Sequence, residues 1–308
     1  MIEPSETTRA MPDLWSGLGR FVDRSTVPPS VKRVVHAGSR TFGRITGNAR
    51  MLPDFLIAGG QRCGTTSLYR ALAQHPAILK PVLHKGVHYF DTGYHRGMAW
   101  YRGHFPLRHT AARVAERVGV APLTFESSPY YLYHPLAASR IAADLPAVKI
   151  IVLVRDPVER AYSQHAHELA RGFETVTDFA DALELEPARL AGTEAALRGG
   201  EQRHSHQHHG YTDRGRYVDY LSRFEDLVGR DRIHVVDSAL FFTAPERVYA
   251  GVLRFLGLPE AGTIRFEQHN ARRRAPLPDA LRSRLDAHFR PYDERLAAWL
   301  GHVPSWRQ

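Results

Sequence analysis

Two clusters in this sequence have residue types and spacing that suit chemistry on phosphate groups. The first is Gly59-Gly60-Gln61-Arg62-Cys63-Gly64-Thr65-Thr66-Ser67. Gly59 and Gly64 keep the spacing of a phosphate-cradling loop, G-x-x-x-x-G-K-[ST], whose lysine reaches the outer phosphates and whose hydroxyl holds magnesium. Here Thr65 stands in the lysine position, and the basic residue of the loop is Arg62. Amides at a helix start, with the hydroxyls of Thr65, Thr66 and Ser67, can still grip one phosphate group. The second cluster is Arg155-Asp156-Pro157, followed by Arg160, Tyr162, Ser163 and His167. A triphosphatase of the phosphate-loop class carries an Asp for magnesium at the end of a neighbouring strand. Arg155 in that place repels a cation and attracts a second anion. The pair suggests a nucleotide with two separate anionic groups, bound without a metal.

These residues need elements to position them. Phe55–Ala58 reads as a short apolar strand ahead of the first loop, and Ser67–His75 reads as a helix ended by Pro76. Val148–Val154 is rich in β-branched residues with no polar alternation, the mark of a strand buried on both faces of a parallel sheet. Further strands are expected at 123–125 and 232–236, and helices at 136–144, 214–228, 245–256 and 278–288, with Gly257 as the stop of the third. The alternation predicts one α/β domain over 51–308, with a central parallel sheet flanked by helices. The segment 168–213 is Glu-rich, then His-rich, and reads as a lid or an inserted helical hairpin. Residues 1–50 form a basic N-terminal extension with one or two short helices, around 30–45.

Composition sets the outer bounds. The chain has 308 residues, 43% of them hydrophobic, which excludes a disordered chain. The lone Cys63 excludes an internal disulfide framework, and the longest aliphatic run, Ile150–Val154, is far too short to span a bilayer. The expectation is a cytoplasmic protein without stable membrane insertion. Its net charge of +9 comes almost wholly from arginine, since lysine occurs only four times. No nucleic-acid-binding motif accompanies that charge, and arginines gather at the two phosphate clusters and at Arg272-Arg273-Arg274, so a nucleic-acid partner is not expected.

From about Leu52 to Leu300, the sequence resembles the sulfotransferases that use 3′-phosphoadenosine 5′-phosphosulfate (PAPS), in particular their bacterial and heparan sulfate-type branch. The stretch Phe55–Leu68 is similar to the family's 5′-phosphosulfate loop, and Val154–Ser163 to its 3′-phosphate strand and helix. Weaker echoes lie at His88–Asp91, Trp100-Tyr101, Glu126–Tyr131 and Phe255–Leu258. The resemblance implies that Arg62, Gly64, Thr65, Thr66 and Ser67 hold the 5′-phosphosulfate, and that Arg155 and Ser163 take the 3′-phosphate. Arg273 or Arg274 would close over that phosphate. It implies transfer of a sulfuryl group to a hydroxyl or amine of a small molecule, lipid or glycan, leaving 3′-phosphoadenosine 5′-phosphate (PAP), with no metal.

Catalytic groups are less plainly marked. Sulfuryl transfer needs positive charge around the transferring group and a base for the acceptor proton. In the branch this chain resembles, a Glu follows the lysine of a Lys-Glu-x-His-x-Phe segment, whereas here Gly86 follows Lys85. A second lysine is also missing, since Glu126-Ser127-Ser128 stands where relatives have Glu-Lys-Ser/Thr. His88, Glu126 and His84 are the alternatives for the base, an acceptor needing little help is another, and Lys85 and Arg62 are candidates for stabilising developing charge. A nucleotide-binding relative without catalysis and a phosphate-loop kinase remain as rival readings. The run His204, His206, His208, His209 is read as a polar, flexible loop facing substrate in preference to a metal site.

Overall fold

A computed structural model describes residues 46–82, 84–260, 262–267, 269 and 275–308. The expected helix at 30–45 and the Arg272–Arg274 run lie outside the described residues. Five strands form an all-parallel sheet in the order β2-β3-β1-β4-β5. They are β1 (Phe55–Gly59), β2 (Ile78–Leu79), β3 (Leu123–Ser127), β4 (Lys149–Val154) and β5 (Ile233–Asp237). Every residue of β1 is buried, as is every residue of β4 after Lys149, so the apolar runs do mark strands covered on both faces. Phe55 and Phe125 stack across the β1–β3 pair with ring centroids 4.7 Å apart.

Chain order reverses at β1, because β2 and β3 lie on one side of it and β4 and β5 on the other. Open α/β sheets leave a crevice at such a reversal, beyond the carboxyl ends of the strands. Both phosphate clusters open there, one after β1 and one after β4.

Helices build the layers around the sheet. They are α1 (Thr65–Leu72), α2 (Met98–Arg102), α3 (Arg108–Val118), α4 (Ala137–Asp144), α5 (Pro157–Ala170), α6 (Phe179–Leu190), α7 (Thr193–Arg198), α8 (His204–His208), α9 (Tyr217–Val228), α10 (Ser238–Thr243), α11 (Pro245–Leu256) and α12 (Asp279–Leu300). In α9 the buried residues Tyr217, Val218, Tyr220, Leu221, Phe224 and Val228 recur at helical spacing, giving a stripe that packs into the main core. Gly257 ends α11 in the left-handed conformation expected of a stop. The terminal helix runs to Leu300, beyond the expected end at 288, and passes through Pro291. Burial of Leu285 and Phe289 before the proline and Leu296 after it holds both halves in place. The 168–213 segment carries α6, α7 and α8, and a second apolar cluster joins Phe179, Ala182, Leu183 and Tyr211 to Val158 and Ala161 of α5 and to Leu285 and Phe289 of α12. Among the described residues, no helix is long and apolar enough to cross a membrane.

The start of α5 is fixed by its own sequence. The Asp156 side chain accepts from the amides of Val158 (2.9 Å) and Glu159 (3.4 Å), and Pro157 fills the first helical position, where no amide donor is needed. Arg282 of α12 pairs with the same carboxylate at 3.5 Å. Replacing Asp156 by Ala should lower the unfolding free energy by about 1 kcal/mol. Denaturant unfolding checks this, and an unchanged midpoint would show that the cap contributes nothing.

Candidate functional site

The loop after β1 turns sharply into α1. Gly64 sits at φ +89°, a conformation that only glycine adopts cheaply, and its carbonyl accepts the amides of Ser67 and Leu68 at 3.0 and 3.1 Å. The first turn of α1 faces the crevice with the positive end of the helix dipole. The loop is tied to the sheet by the Gly60 amide, which donates to the Leu153 carbonyl at 2.7 Å. Cys63 is buried, with Sγ 3.6 Å from the Tyr217 hydroxyl, and burial pushes its thiol pKa up, so it reads as packing.

The loop's missing lysine is supplied from another segment. Lys85 Nζ donates to Thr66 Oγ1 at 3.0 Å and lies 3.3 Å from Thr65 Oγ1. Burial pulls the lysine pKa down to about 8, against the opposing effect of Glu126, which favours the charged form. An ammonium thus sits at the mouth of α1, where the phosphate-loop lysine would otherwise reach.

What holds Lys85 there is the end of β3. The Ser127 amide donates to the Lys85 carbonyl (2.9 Å), the Val87 amide to Glu126 Oε2 (2.9 Å) and the His88 amide to Ser128 Oγ (3.0 Å). Glu126 also accepts from Ser128 Oγ (2.6 Å), Tyr131 OH (2.6 Å) and Tyr101 OH (3.2 Å), so four donors occupy its two oxygens. It is fully buried, and burial raises its pKa despite those donors. The placing of Glu126 among the catalytic candidates is therefore corrected: a carboxylate enclosed this way positions the segment and has no path to an acceptor proton. Gly86 is explained by the same packing, because a Cβ there would stand 2.6 Å from the Ser127 carbonyl oxygen.

His88 lies one turn of chain further on. Its Nδ1 is 2.7 Å from Asp91 Oδ2, with Asp91 itself buried and the imidazole 44% exposed. Burial disfavours the charged ring, but Asp91 outweighs it by charge and by hydrogen bond, and the net pKa is raised. The ring borders a cleft of about 240 Å³ lined also by His84, Val87, Thr92, Arg96, Trp100 and His104. With Nδ1 engaged by Asp91, Nε2 is the atom left to take a proton. Lys85 and His88 thus sit on one segment held by the end of β3, Lys85 on the hydroxyls of Thr65 and Thr66 and His88 on the cleft. His84 borders the same cleft, but it is His88 that the Asp91 carboxylate orients.

On the β4 side, Arg62 adopts φ +68° and its Nε donates to Ser163 Oγ at 3.0 Å. Arg155 Nη1 lies 3.5 Å from the Arg62 carbonyl, and Arg155 Nη2 lies 3.5 Å from Glu159 Oε2. The family resemblance puts Arg62 on the 5′ side of the donor; the structure turns its guanidinium toward Ser163 and so groups it with Arg155 on the opposite flank. Arg273 and Arg274, the remaining candidates, lie outside the described residues.

The inserted segment is not a flexible loop. His206 is buried, stacks on Tyr133 with centroids 4.1 Å apart, and bonds through Nδ1 to the Tyr130 hydroxyl at 2.8 Å. His208 Nδ1 is 2.9 Å from Glu168 Oε2, and His204 and His209 both meet the Phe173 carbonyl through Nε2, at 3.2 and 2.9 Å. His204, His208 and His209 are tied to the segment itself and His206 to Tyr130 and Tyr133 after β3, which corrects the reading of these histidines as a flexible loop facing substrate. Sequence reasoning also missed Gln61, whose side chain reaches Glu168 at the start of this segment and Arg214 just after its end. The His88-x-x-Asp91 spacing was visible, but a carboxylate three residues from a histidine pairs with it only if the turn brings them together, as the π-helical turn Tyr89–Gly93 does here.

Fold and site together define an α/β domain whose phosphate loop takes its ammonium from a separate segment. Residues 52–272 match the family model of the sulfotransferase domain, and the chain belongs to that family. Human bifunctional heparan sulfate N-deacetylase/N-sulfotransferase 3 is 26% identical over 287 residues, covering 83% of this chain and 31% of its own length. The corresponding Drosophila melanogaster protein is 27% identical over 219 residues, covering 68% of this chain and 20% of its own. The chain thus spans less than a third of the length of these curated relatives. A sulfotransferase from Alicyclobacillus acidocaldarius has a crystal structure that superposes with a TM-score of 0.60 at 27% identity, over 84% of this chain and 100% of that one.

Restoring a glutamate at position 86 should not create a base. Gly86→Glu is expected to lower the unfolding midpoint, because its Cβ would collide with the Ser127 carbonyl, and to leave turnover with any acceptor no higher than wild type. A stable Gly86→Glu variant with increased turnover would refute this account of the position.

Proposed function

We propose that the chain binds PAPS across the crevice and passes its sulfuryl group to a hydroxyl or amine of a glycan, lipid or small-molecule acceptor in the His88 cleft, releasing PAP. The observation that carries this is the Lys85 ammonium resting on Thr65 and Thr66 at the start of α1, with Arg62, Arg155 and Ser163 gathered one loop away. That layout offers two separated cationic sites for one ligand with two anionic groups. The α1 amides, Lys85, Thr65, Thr66 and Ser67 take the 5′-phosphosulfate, and Arg155, Ser163 and Arg62 take the 3′-phosphate. Guanidinium groups suit phosphate oxygens because they donate in pairs. Arg155 also occupies the place where a magnesium-dependent triphosphatase keeps its Asp, which favours a donor bound without magnesium. By resemblance to the family, Arg273 or Arg274 completes the 3′-phosphate site. The relatives' names report N-sulfation of heparan sulfate, which makes an amine on a glycan one acceptor to be tried.

When bound, PAPS supplies the electrophilic sulfuryl group. His88 Nε2 takes the acceptor proton, with Asp91 holding the ring and stabilising its charged form. Lys85 steadies the charge that develops on the leaving oxygen. Glu126 acts through the segment that it holds.

Calorimetry with PAP, and separately with ATP and Mg²⁺, tests the donor. PAP should bind the more tightly, and Arg155→Ala should weaken it by at least about tenfold. Tighter binding of ATP would overturn the reading. The pH profile tests the catalytic pair. A base must be neutral, so kcat/KM should rise with pH through the raised His88 pKa, above the ordinary histidine value of about 6.5. Lys85 must be charged, so kcat/KM should fall above about pH 8. Asp91→Asn should move the rising limb to lower pH, and Lys85→Arg should remove the falling limb. A profile indifferent to both substitutions would contradict the assignments.

A further inference from the structure

The Gln61 side chain, inside the phosphate loop, is bracketed by opposite charges. Its Nε2 donates to Glu168 Oε1 at 2.9 Å, and its Oε1 accepts from Arg214 Nη1. Both partners are buried and belong to the stretch that begins at the end of α5 and returns after α8. Each is itself locked. Glu168 accepts from His208 through its other oxygen at 2.9 Å, and Gln164 holds the His208 carbonyl at 2.9 Å. Arg214 donates to the carbonyls of His206 and Gln207 at 2.9 and 2.6 Å, and its guanidinium lies 4.6 Å from the Tyr133 ring centroid. Burial would raise the Glu168 pKa, but the His208 bond and nearby cations hold it below the usual carboxylate value, so it meets Gln61 as an anion. The next residue, Arg62, keeps a left-handed backbone that a side chain other than glycine rarely adopts, and it then reaches Ser163.

We propose that Glu168 and Arg214 are positioning residues for the donor site, setting the phosphate loop by clamping the Gln61 amide from both sides. The inference rests on the donor reading above. It gives the inserted segment a role in the chemistry: the segment fixes where the α1 amides and Arg62 stand. A neutral amide between an anion and a cation can be oriented only one way, with nitrogen toward Glu168 and oxygen toward Arg214. Rotation of Gln61, and with it of the loop backbone, would leave two buried charges short of a partner.

The test exchanges the two hydrogen-bonding roles. In Gln61→Glu, position 61 presents a carboxylate to Glu168. In Glu168→Gln, the anion that orients Gln61 is gone. In the double variant, the amide now at position 168 donates through its nitrogen to the carboxylate now at position 61. That carboxylate still accepts from Arg214, and the amide oxygen at position 168 still accepts from His208. Calorimetry with PAP should show each single variant binding at least about tenfold more weakly than wild type, with the double variant recovering to within about threefold. Single variants that bind like wild type while folded, or a double variant no better than the weaker single, would overturn the proposal. Hydrogen exchange of the amides at 60–68, measured on the same proteins without ligand, reads the clamp independently. Exchange should quicken in each single variant and slow again in the double. A wild-type protein that binds no PAP but shows this exchange pattern would sink the donor reading and keep the clamp. An exchange pattern identical in all four proteins would sink the clamp, and that remains so if one single variant is too unstable to bind.

Discussion

The site depends on one contact, the ammonium of Lys85 on the hydroxyls of Thr65 and Thr66. A phosphate loop without its lysine is an incomplete anion trap, because helix-start amides contribute only partial charge. Bringing a lysine from 19 residues downstream restores the full charge and also ties the loop to the end of β3. The arrangement carries a cost in desolvation, visible in the lysine pKa of about 8. A half-buried ammonium that deprotonates easily is poorly suited to structure alone and well suited to meeting an anion, which would return its charged form to stability.

Glu126 is the counterpart of that contact. An unpaired buried carboxylate would destabilise the fold severely, and here four donors from three stretches of chain surround it. Those donors are what bring residues 85–88 alongside β3, so the placement of Lys85 and His88 rests on a polar centre inside an apolar core. The sheet supplies the rest. The reversal of strand order at β1 opens the crevice, and Arg155 at the end of β4 closes its far side. On the opposite flank of the loop, Gln61 ties the same residues to the inserted segment, so three separate parts of the chain hold one short turn.

Much of this was legible in the sequence because it rests on local pattern. Glycine spacing marked the loop, and uninterrupted β-branched residues marked β4. Four of the five strands followed from short apolar runs, and α1, α4, α5, α9, α11 and α12 from helix patterns and their stops. What escaped were features set by tertiary contact. The strand β2 is only two residues long and announces nothing about where Lys85 will lie. In the sequence Glu126 looks like a catalytic acid or base; only Tyr101 and Tyr131, brought in by the fold, show that it is a structural centre. Pro291 argues for a helix end, and burial on both sides of it overrides that rule. The histidine-rich run read as a flexible loop facing substrate, yet each ring finds a partner that only the fold brings near.

The central claim is that Lys85 meets the donor as the charge the phosphate loop lacks. Proton uptake on PAP binding tests it most directly, by calorimetry at pH 8 in buffers of different ionisation enthalpy. With a free lysine pKa of about 8, an arriving anion should draw in about half a proton per PAP bound, and Lys85→Met should abolish that uptake. A binding enthalpy independent of buffer in the wild-type protein, or the same uptake in Lys85→Met, would contradict the account.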